Sequence, residues 1–204
     1  MTVGEQTQKR SYHHGNLAVS LLDAVDELAT KFGLEAVTLR GCAKLVGVSP
    51  SSAFRHYSDK RALITAFAAR AVNELSDQMV STAARAVRED SDPFLAVGLA
   101  YIEFAIEKPA FFRAMWYREG IYSADPNYLE ATNKLRGHLR SGFADTLRDD
   151  DACAFSPQEL LAWSSVHGLA GLFVDGPIAQ EHSQSEKIGM AAEMLKALKP
   201  AFKV

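Results

Sequence analysis

The chain has few of the features that mark an enzyme, a membrane protein or a disulfide-rich secreted protein. Its 204 residues include two cysteines, Cys42 and Cys153, whose separation fits no metal site. No apolar run approaches the ~20 residues of a membrane span, and the polar N-terminal stretch is unlike a secretory signal. We therefore expect buried free thiols, no metal, no cofactor and a cytoplasmic location.

Catalytic sequence motifs are also missing. The sequence contains no P-loop, GxSxG, HExxH or glycine-rich nucleotide fingerprint. His13 and His14 are adjacent and have no third ligand at metal spacing. Apolar residues make up 48% of the chain and recur at helical spacing almost throughout. The sequence therefore predicts an all-α protein that is not an enzyme; the enzyme alternative would require turnover that is lost when His167 is replaced.

The segment 38–63, TLRGCAKLVGVSPSSAFRHYSDKRAL, has the pattern of two short helices joined by a tight turn. Thr38 can cap the first helix through its hydroxyl, and Gly47 suits the left-handed conformation that ends a helix. Ser49 can cap a second helix, with Pro50 at its first position, where no donor is lost. This order predicts a helix-turn-helix, although an ordinary helical hairpin with a solvated face has the same outline.

The second helix is expected to run from Pro50 to His56. Its spacing predicts that Ala53, Phe54 and Tyr57 are buried against the first helix. The other side is polar and faces outward, and serine can hydrogen-bond several bases, so no operator sequence follows. Arg55 fits guanine and phosphate equally well.

Charge is distributed unevenly along the chain. Residues 1–70 contain 9 Lys and Arg against 6 Asp and Glu, a net charge of +3, whereas the remainder has 13 against 19, a net of −6. A cationic front on an acidic protein favours phosphate binding, because DNA affinity comes largely from neutralised phosphates.

The segment 33–63 resembles the N-terminal DNA-binding domain of the TetR family of bacterial one-component repressors. GVSPSSAFRHYSDKRAL is similar to the family's recognition helix and following turn, and YHHGNL (12–17) to the lead-in of one subgroup. WSSVHGLAGL (163–172) resembles the Trp…His-Gly segment of that subgroup's C-terminal domain. The family usually has a tyrosine, with its hydroxyl on a phosphate, where this chain has Phe54.

The resemblance implies a repressor that binds a palindromic operator as a homodimer and is released by a small-molecule effector. His56, Tyr57 and Lys60 match phosphate-facing positions, and the residues before them match the reading surface. The predicted contacts with double-stranded DNA are Thr38, Arg40, Ser49, Ser51, Ser52, Arg55, His56, Tyr57 and Lys60.

We expect residues 1–60 to form the arm and DNA-binding domain, and residues 61–204 an effector-binding and dimerisation domain. Small and apolar residues on the last two long helices predict the dimer interface, with intramolecular core as the alternative. The predicted interface residues are Leu161, Ser165, Gly168, Leu172, Ala191 and Leu195.

Aromatic residues on consecutive helices of the C-terminal part predict a pocket for a hydrophobic or aromatic effector. Plain core packing explains the same pattern equally well, and a helical protein–protein adaptor that has kept the fold without DNA binding is the main functional alternative. The predicted pocket residues are Tyr101, Phe104, Phe112, Trp116, Tyr117, Trp163 and His167.

Overall fold

The computed structural model describes residues 16–141 and 155–202. Over these ranges the chain forms nine α-helices and two short 3-10 turns and contains no strand, which confirms the predicted all-α class. The helices are α1 (Leu17–Phe32), α2 (Leu39–Val46), α3 (Pro50–Phe54), α4 (Lys60–Arg88), α5 (Pro93–Glu107), α6 (Pro109–Trp116), α7 (Pro126–Ser141), α8 (Pro157–Val174) and α9 (Gln184–Phe202). Cys153 and the arm residues before Asn16 lie outside the described residues.

The chain divides into two compact units, residues 1–63 and 64–204. The division falls inside α4, three residues after the expected boundary at 60/61. None of the helices in the described ranges is long and apolar enough to cross a membrane.

The first unit has a small core shared by α1, α2 and α3. Leu21, Val25, Cys42 and Ala53 are fully buried there, because each lies on the apolar side of its helix. Burial raises the pKa of the Cys42 thiol to about 11, so the thiol stays protonated and unreactive at neutral pH. This cysteine is free, as its sequence context predicts.

Local hydrogen bonds explain why the chain turns sharply between α2 and α3. The Thr38 hydroxyl accepts the Gly41 N–H at 3.0 Å and starts α2. Gly47 ends α2 with φ +81°, in the left-handed region that glycine adopts without strain. The Ser49 hydroxyl then accepts the Ser52 N–H at 3.2 Å and starts α3, with Pro50 as its first residue. These predicted caps and the turn are confirmed.

The predicted extent of the second helix and the predicted burial of Phe54 are wrong, whereas the predicted burial of Ala53 is confirmed. The helix α3 ends at Phe54 rather than His56. Phe54 is 46% exposed, whereas its neighbour Ala53 is fully buried. Burial of one small residue, Ala53, is enough to pack so short a helix against α1 and α2. The next residue, Phe54, therefore points away from the core.

The second unit is built around α5, which packs against both α8 and α9. Phe67 of α4 and Phe111 of α6 meet edge to face with ring centroids 4.7 Å apart. The buried Lys187 of α9 donates hydrogen bonds to the carbonyl oxygens of Phe173, at 3.2 Å, and Ala179, at 2.5 Å. Lys187 thus satisfies the Phe173 carbonyl, which lies in the last turn of α8 and has no partner within the helix.

Candidate DNA-binding surface and ligand cavity

The helix α3 presents a polar surface next to the glycine turn. Ser49, Ser51, Arg55 and His56 are exposed and Ser52 is half-buried. The Ser49 hydroxyl oxygen lies 2.9 Å from those of both Ser51 and Ser52. Arg55 donates from Nη2 to the Ser52 hydroxyl at 3.0 Å. The three serine hydroxyls therefore form one hydrogen-bond network, and Arg55 is bonded to this network through Ser52.

The start of α2 adds a second exposed group. Thr38 and Arg40 are both exposed, and the backbone N–H groups of the first turn of α2 point toward the same end of the helix. A helix N-terminus with an arginine beside it attracts phosphate through the helix dipole and through charge.

Two of the predicted contacts are engaged within the first unit. The half-buried Tyr57 donates its hydroxyl to the Ala18 carbonyl oxygen at 3.3 Å. Lys60 donates from Nζ to the Glu35 carbonyl oxygen at 2.7 Å. In this conformation both side chains tie the end of the helix-turn-helix to α1 and to the 3-10 turn Leu34–Ala36. Of the other seven predicted residues, the structure joins Ser49, Ser51, Ser52 and Arg55 in one hydrogen-bond network. Thr38, Arg40 and His56 are exposed.

A cavity of about 590 Å³ lies in the second unit between α4, α5, α7, α8 and α9. This volume falls in the ~300–1,000 Å³ range of small-molecule sites. Most of the lining is aliphatic or aromatic. The lining residues are Met79, Val80, Ala83, Asp92, Pro93, Phe94, Val97, Gly98, Tyr101, His138, Leu139, Phe155, Glu159, Ala162, Trp163, Val166, Leu195 and Lys199.

A second cavity of about 230 Å³ adjoins the first. Tyr101, Leu139, Phe155 and Trp163 line both cavities, so the two share a wall. Trp116 lines the smaller one, and its ring centroid is 5.5 Å from that of Trp163.

The predicted pocket residues fall into two groups. Tyr101, Trp116 and Trp163 line a cavity. His167 is outside both linings and is bonded to the Tyr101 hydroxyl at 3.0 Å. Phe104, Phe112 and Tyr117 are outside both linings. This part of the prediction needs correction: Phe104 and Phe112 are buried in the core, and Tyr117 follows the C-terminal end of α6. About half of the lining residues of the larger cavity are aliphatic, and a search for aromatic residues could not find those.

The predicted dimer-interface residues also fall into two groups, one on α8 and one on α9. Leu161, Ser165, Gly168 and Leu172 lie on one side of α8, at spacings of four, three and four residues. Leu161 and Leu172 are exposed, and a side chain added at Gly168 would meet no other atom. They form what we call the α8 face.

Ala191 and Leu195 of α9 were expected on the same interface, and that expectation is corrected. Both are buried within a single chain, so they have no surface to offer to a second one. Leu195 instead lines the larger cavity. The exposed apolar side chain of this part of α9 is Met190.

Two ion pairs each include a carboxylate that lines the larger cavity. Lys199 lies 2.5 Å from Asp92, and Arg140 lies 3.4 Å from the buried Glu159. Each lining carboxylate thus has a cation beside it. Burial lowers the pKa of His167 and raises that of Tyr101, so both rings are neutral at neutral pH.

The half-buried His167 makes stability depend on pH. Because the pKa of His167 lies below its ordinary value of 6.5 in the folded protein, the unfolded chain binds the proton first as the pH falls. Stability present above about pH 6.5 is therefore lost on acidification. In denaturant titrations at pH 7.5 and 5.5, His167→Gln should lose less stability than the wild type. A His167→Gln protein that loses as much stability as the wild type between these two pH values would contradict the assignment.

Comparison with known proteins agrees with this architecture. Residues 94–197 match the family model described as "Tetracyclin repressor-like, C-terminal domain", and residues 21–67 match "Bacterial regulatory proteins, tetR family". The two matches together cover the helix-turn-helix and most of the second unit. The fold and the exposed polar helix α3 together define the molecule as a helix-turn-helix regulator. The chain belongs to the TetR family, a family of transcription regulators rather than enzymes.

Individual relatives support the same conclusion. The helix-turn-helix transcriptional regulator YobS of Bacillus subtilis (strain 168) is 31% identical over 94 residues, which are 46% of this chain and 48% of that protein. The chain thus spans about half the length of the curated relative it matches.

Solved structures share the fold over nearly the whole chain. A protein of unknown function from Rhodococcus sp. RHA1 has a TM-score of 0.67 at 22% identity, covering 92% of this chain and 96% of that one. A TetR family transcription regulator from Marinobacter aquaeolei VT8 has a TM-score of 0.61 at 18% identity, covering 88% and 93%.

Proposed function

We propose that this chain is a homodimeric transcriptional repressor that binds a palindromic operator and is released from it by a small hydrophobic or aromatic effector. The observation that carries the proposal is the helix pair α2 and α3, in which each helix has an N-terminal cap and Gly47 forms the turn between them. The exposed side of this pair is polar, and the pair lies in the part of the sequence that has a net positive charge. Binding chromosomal DNA also places the protein in the cytoplasm.

In the proposed complex α3 enters the major groove, which is about 12 Å wide. Ser51 and Arg55 face the base edges, while Arg40 and the N-terminus of α2 hold a phosphate. Two helix-turn-helix units on one dimer contact successive major grooves about 34–36 Å apart, which accounts for a palindromic site.

Selection of duplexes from a random pool tests this part of the proposal. At about 150 mM salt, non-specific phosphate binding is weakened enough for sequence preference to dominate. We expect an enriched palindrome whose two arms are related by two-fold symmetry. Absence of enrichment at this salt and at lower salt would contradict DNA regulation and favour the adaptor alternative.

The larger cavity is the proposed effector site. Its lining is mostly apolar and its charges are paired, so it favours a neutral, hydrophobic ligand over an ion. A ligand releases DNA only by its difference in affinity between the DNA-binding conformation and the other conformation. Release therefore requires that the cavity accept the effector better in the conformation that binds DNA poorly.

A matched pair of substitutions on α4 tests the cavity. Ala83 lines it, whereas the next residue, Ala84, is exposed. Ala83→Trp places an indole ring in the space of a ligand and should weaken binding of the neutral fluorescent probe N-phenyl-1-naphthylamine at least tenfold, about 1.4 kcal/mol. Ala84→Trp should bind the probe as the wild type does. Equal probe affinity in the two variants would contradict the assignment of the cavity.

A further inference from the structure

Phe54 is an apolar side chain exposed on the surface that the proposed function assigns to DNA. It is 46% exposed at the end of α3, beside the exposed Ser51 and Arg55. Among the described residues of α3 it is the only large hydrophobic side chain that is exposed. Phe32, the other exposed phenylalanine of the first unit, has the Lys31 ammonium 5.1 Å above its ring. The fold therefore leaves the aromatic ring of Phe54 exposed to solvent.

The polar groups around Phe54 are occupied with one another. The Ser49 hydroxyl is bonded to both the Ser51 and Ser52 hydroxyls, and Ser52 also accepts from Arg55. A hydroxyl has one hydrogen to donate and two lone pairs, so each of these bonds reduces what the serines can offer to a base. Hydrogen bonding by these serines gives little basis for distinguishing one base from another.

Helix geometry places Phe54 on the side of α3 that would face the groove. Pro50 and Ser51 precede it by four and three residues, so the three lie together on one side of the helix. All three are exposed, whereas Ala53 is buried in the core.

The major groove has one apolar group, the C5-methyl of thymine. Contact between that methyl group and an exposed aromatic ring removes both from water without requiring a hydrogen bond. We infer that Phe54 determines operator specificity by packing against the methyl group of one thymine in each half-site. This inference rests on the proposed DNA binding and identifies the base that α3 distinguishes.

The test uses the palindrome obtained by selection and replaces each thymine in turn by deoxyuridine. This change removes only the methyl group and leaves base pairing and every protein residue as they were. Burial of one methyl-sized group corresponds to about a fourfold change in affinity. We therefore expect one symmetry-related thymine pair whose replacement weakens wild-type binding about fourfold in one arm and about fifteenfold in both.

Protein variants assign that effect to Phe54. Phe54→Ala should bind the thymine and deoxyuridine duplexes with equal affinity at the sensitive position, and Phe54→Tyr, which keeps the ring, should still distinguish them. Such a double-mutant comparison isolates the contact from any general weakening. Helical content and dimer mass of both variants, measured alongside, should equal those of the wild type because Phe54 is outside the core.

Two results would overturn the inference while leaving DNA binding established. One is a selected operator in which no thymine-to-deoxyuridine change weakens binding. The other is Phe54→Ala retaining the full wild-type sensitivity. Failure to select any operator at all would instead count against the proposed function, so the two failures are distinct.

Discussion

Leu172→Glu is expected to turn the proposed homodimer into monomers at micromolar concentration and to abolish operator binding with it. Leu172 lies on the α8 face and is 44% exposed in the single chain. In a two-fold dimer each substitution occurs twice, so two apolar contacts are lost and two carboxylates are placed in an apolar interface. We expect the dimer dissociation constant to rise at least a hundredfold, about 2.8 kcal/mol.

Leu129→Glu provides a matched control for this experiment. Leu129 lies on α7 and is 43% exposed, so the same chemical change is made at the same degree of exposure on another helix. Sedimentation velocity over a range of concentrations should show a wild-type dimer for Leu129→Glu and monomer for Leu172→Glu. A Leu172→Glu protein that stays dimeric at wild-type concentrations would rule out the α8 face as the interface.

Phe67→Ala is expected to have the largest effect on stability, lowering the free energy of unfolding by about 3–5 kcal/mol. Phe67 is fully buried on α4 and makes an edge-to-face contact with Phe111. Truncation removes the transfer free energy of the ring and leaves a void that a close-packed core fills only partly. It also removes the aromatic pair, which contributes about 0.5–1.5 kcal/mol beyond burial and is included in that range.

Phe32→Ala makes the same substitution at a ring that is 59% exposed. It should cost about 0.5 kcal/mol or less, as most surface substitutions do. Guanidinium titrations followed by circular dichroism give both values. Equal losses in the two variants would show that burial of Phe67 is not what stabilises α4 against α6.

The helix-turn-helix was predictable because its determinants are local. Thr38 and Ser49 each cap a helix through an N–H three residues later, and Gly47 adopts its left-handed conformation through bonds that stay within a few residues. Such contacts follow from residue type and spacing alone. The same holds for Cys42 and Ala53, whose helical positions placed them in the core.

The positions at which the prediction failed are those where tertiary contacts decide. Phe54 was assigned to the core by periodicity, yet the one turn of helix on which it lies is seated by Ala53 alone. Ala191 and Leu195 have the residue types of an interface, but both are buried within one chain, where α9 packs against α5 and α8. Apolar periodicity identifies which side of a helix is covered and does not identify what covers it.

The sequence by itself determined the helical class, the caps and turn of the DNA-binding motif, and the family to which the chain belongs. Only the tertiary structure decided which apolar residues are exposed and where the cavity lies. The aliphatic walls contributed by Met79, Val97 and Val166 come from three helices. A cavity is the space that packed helices leave unfilled, and no single segment of sequence encodes that space because it depends on how distant segments meet.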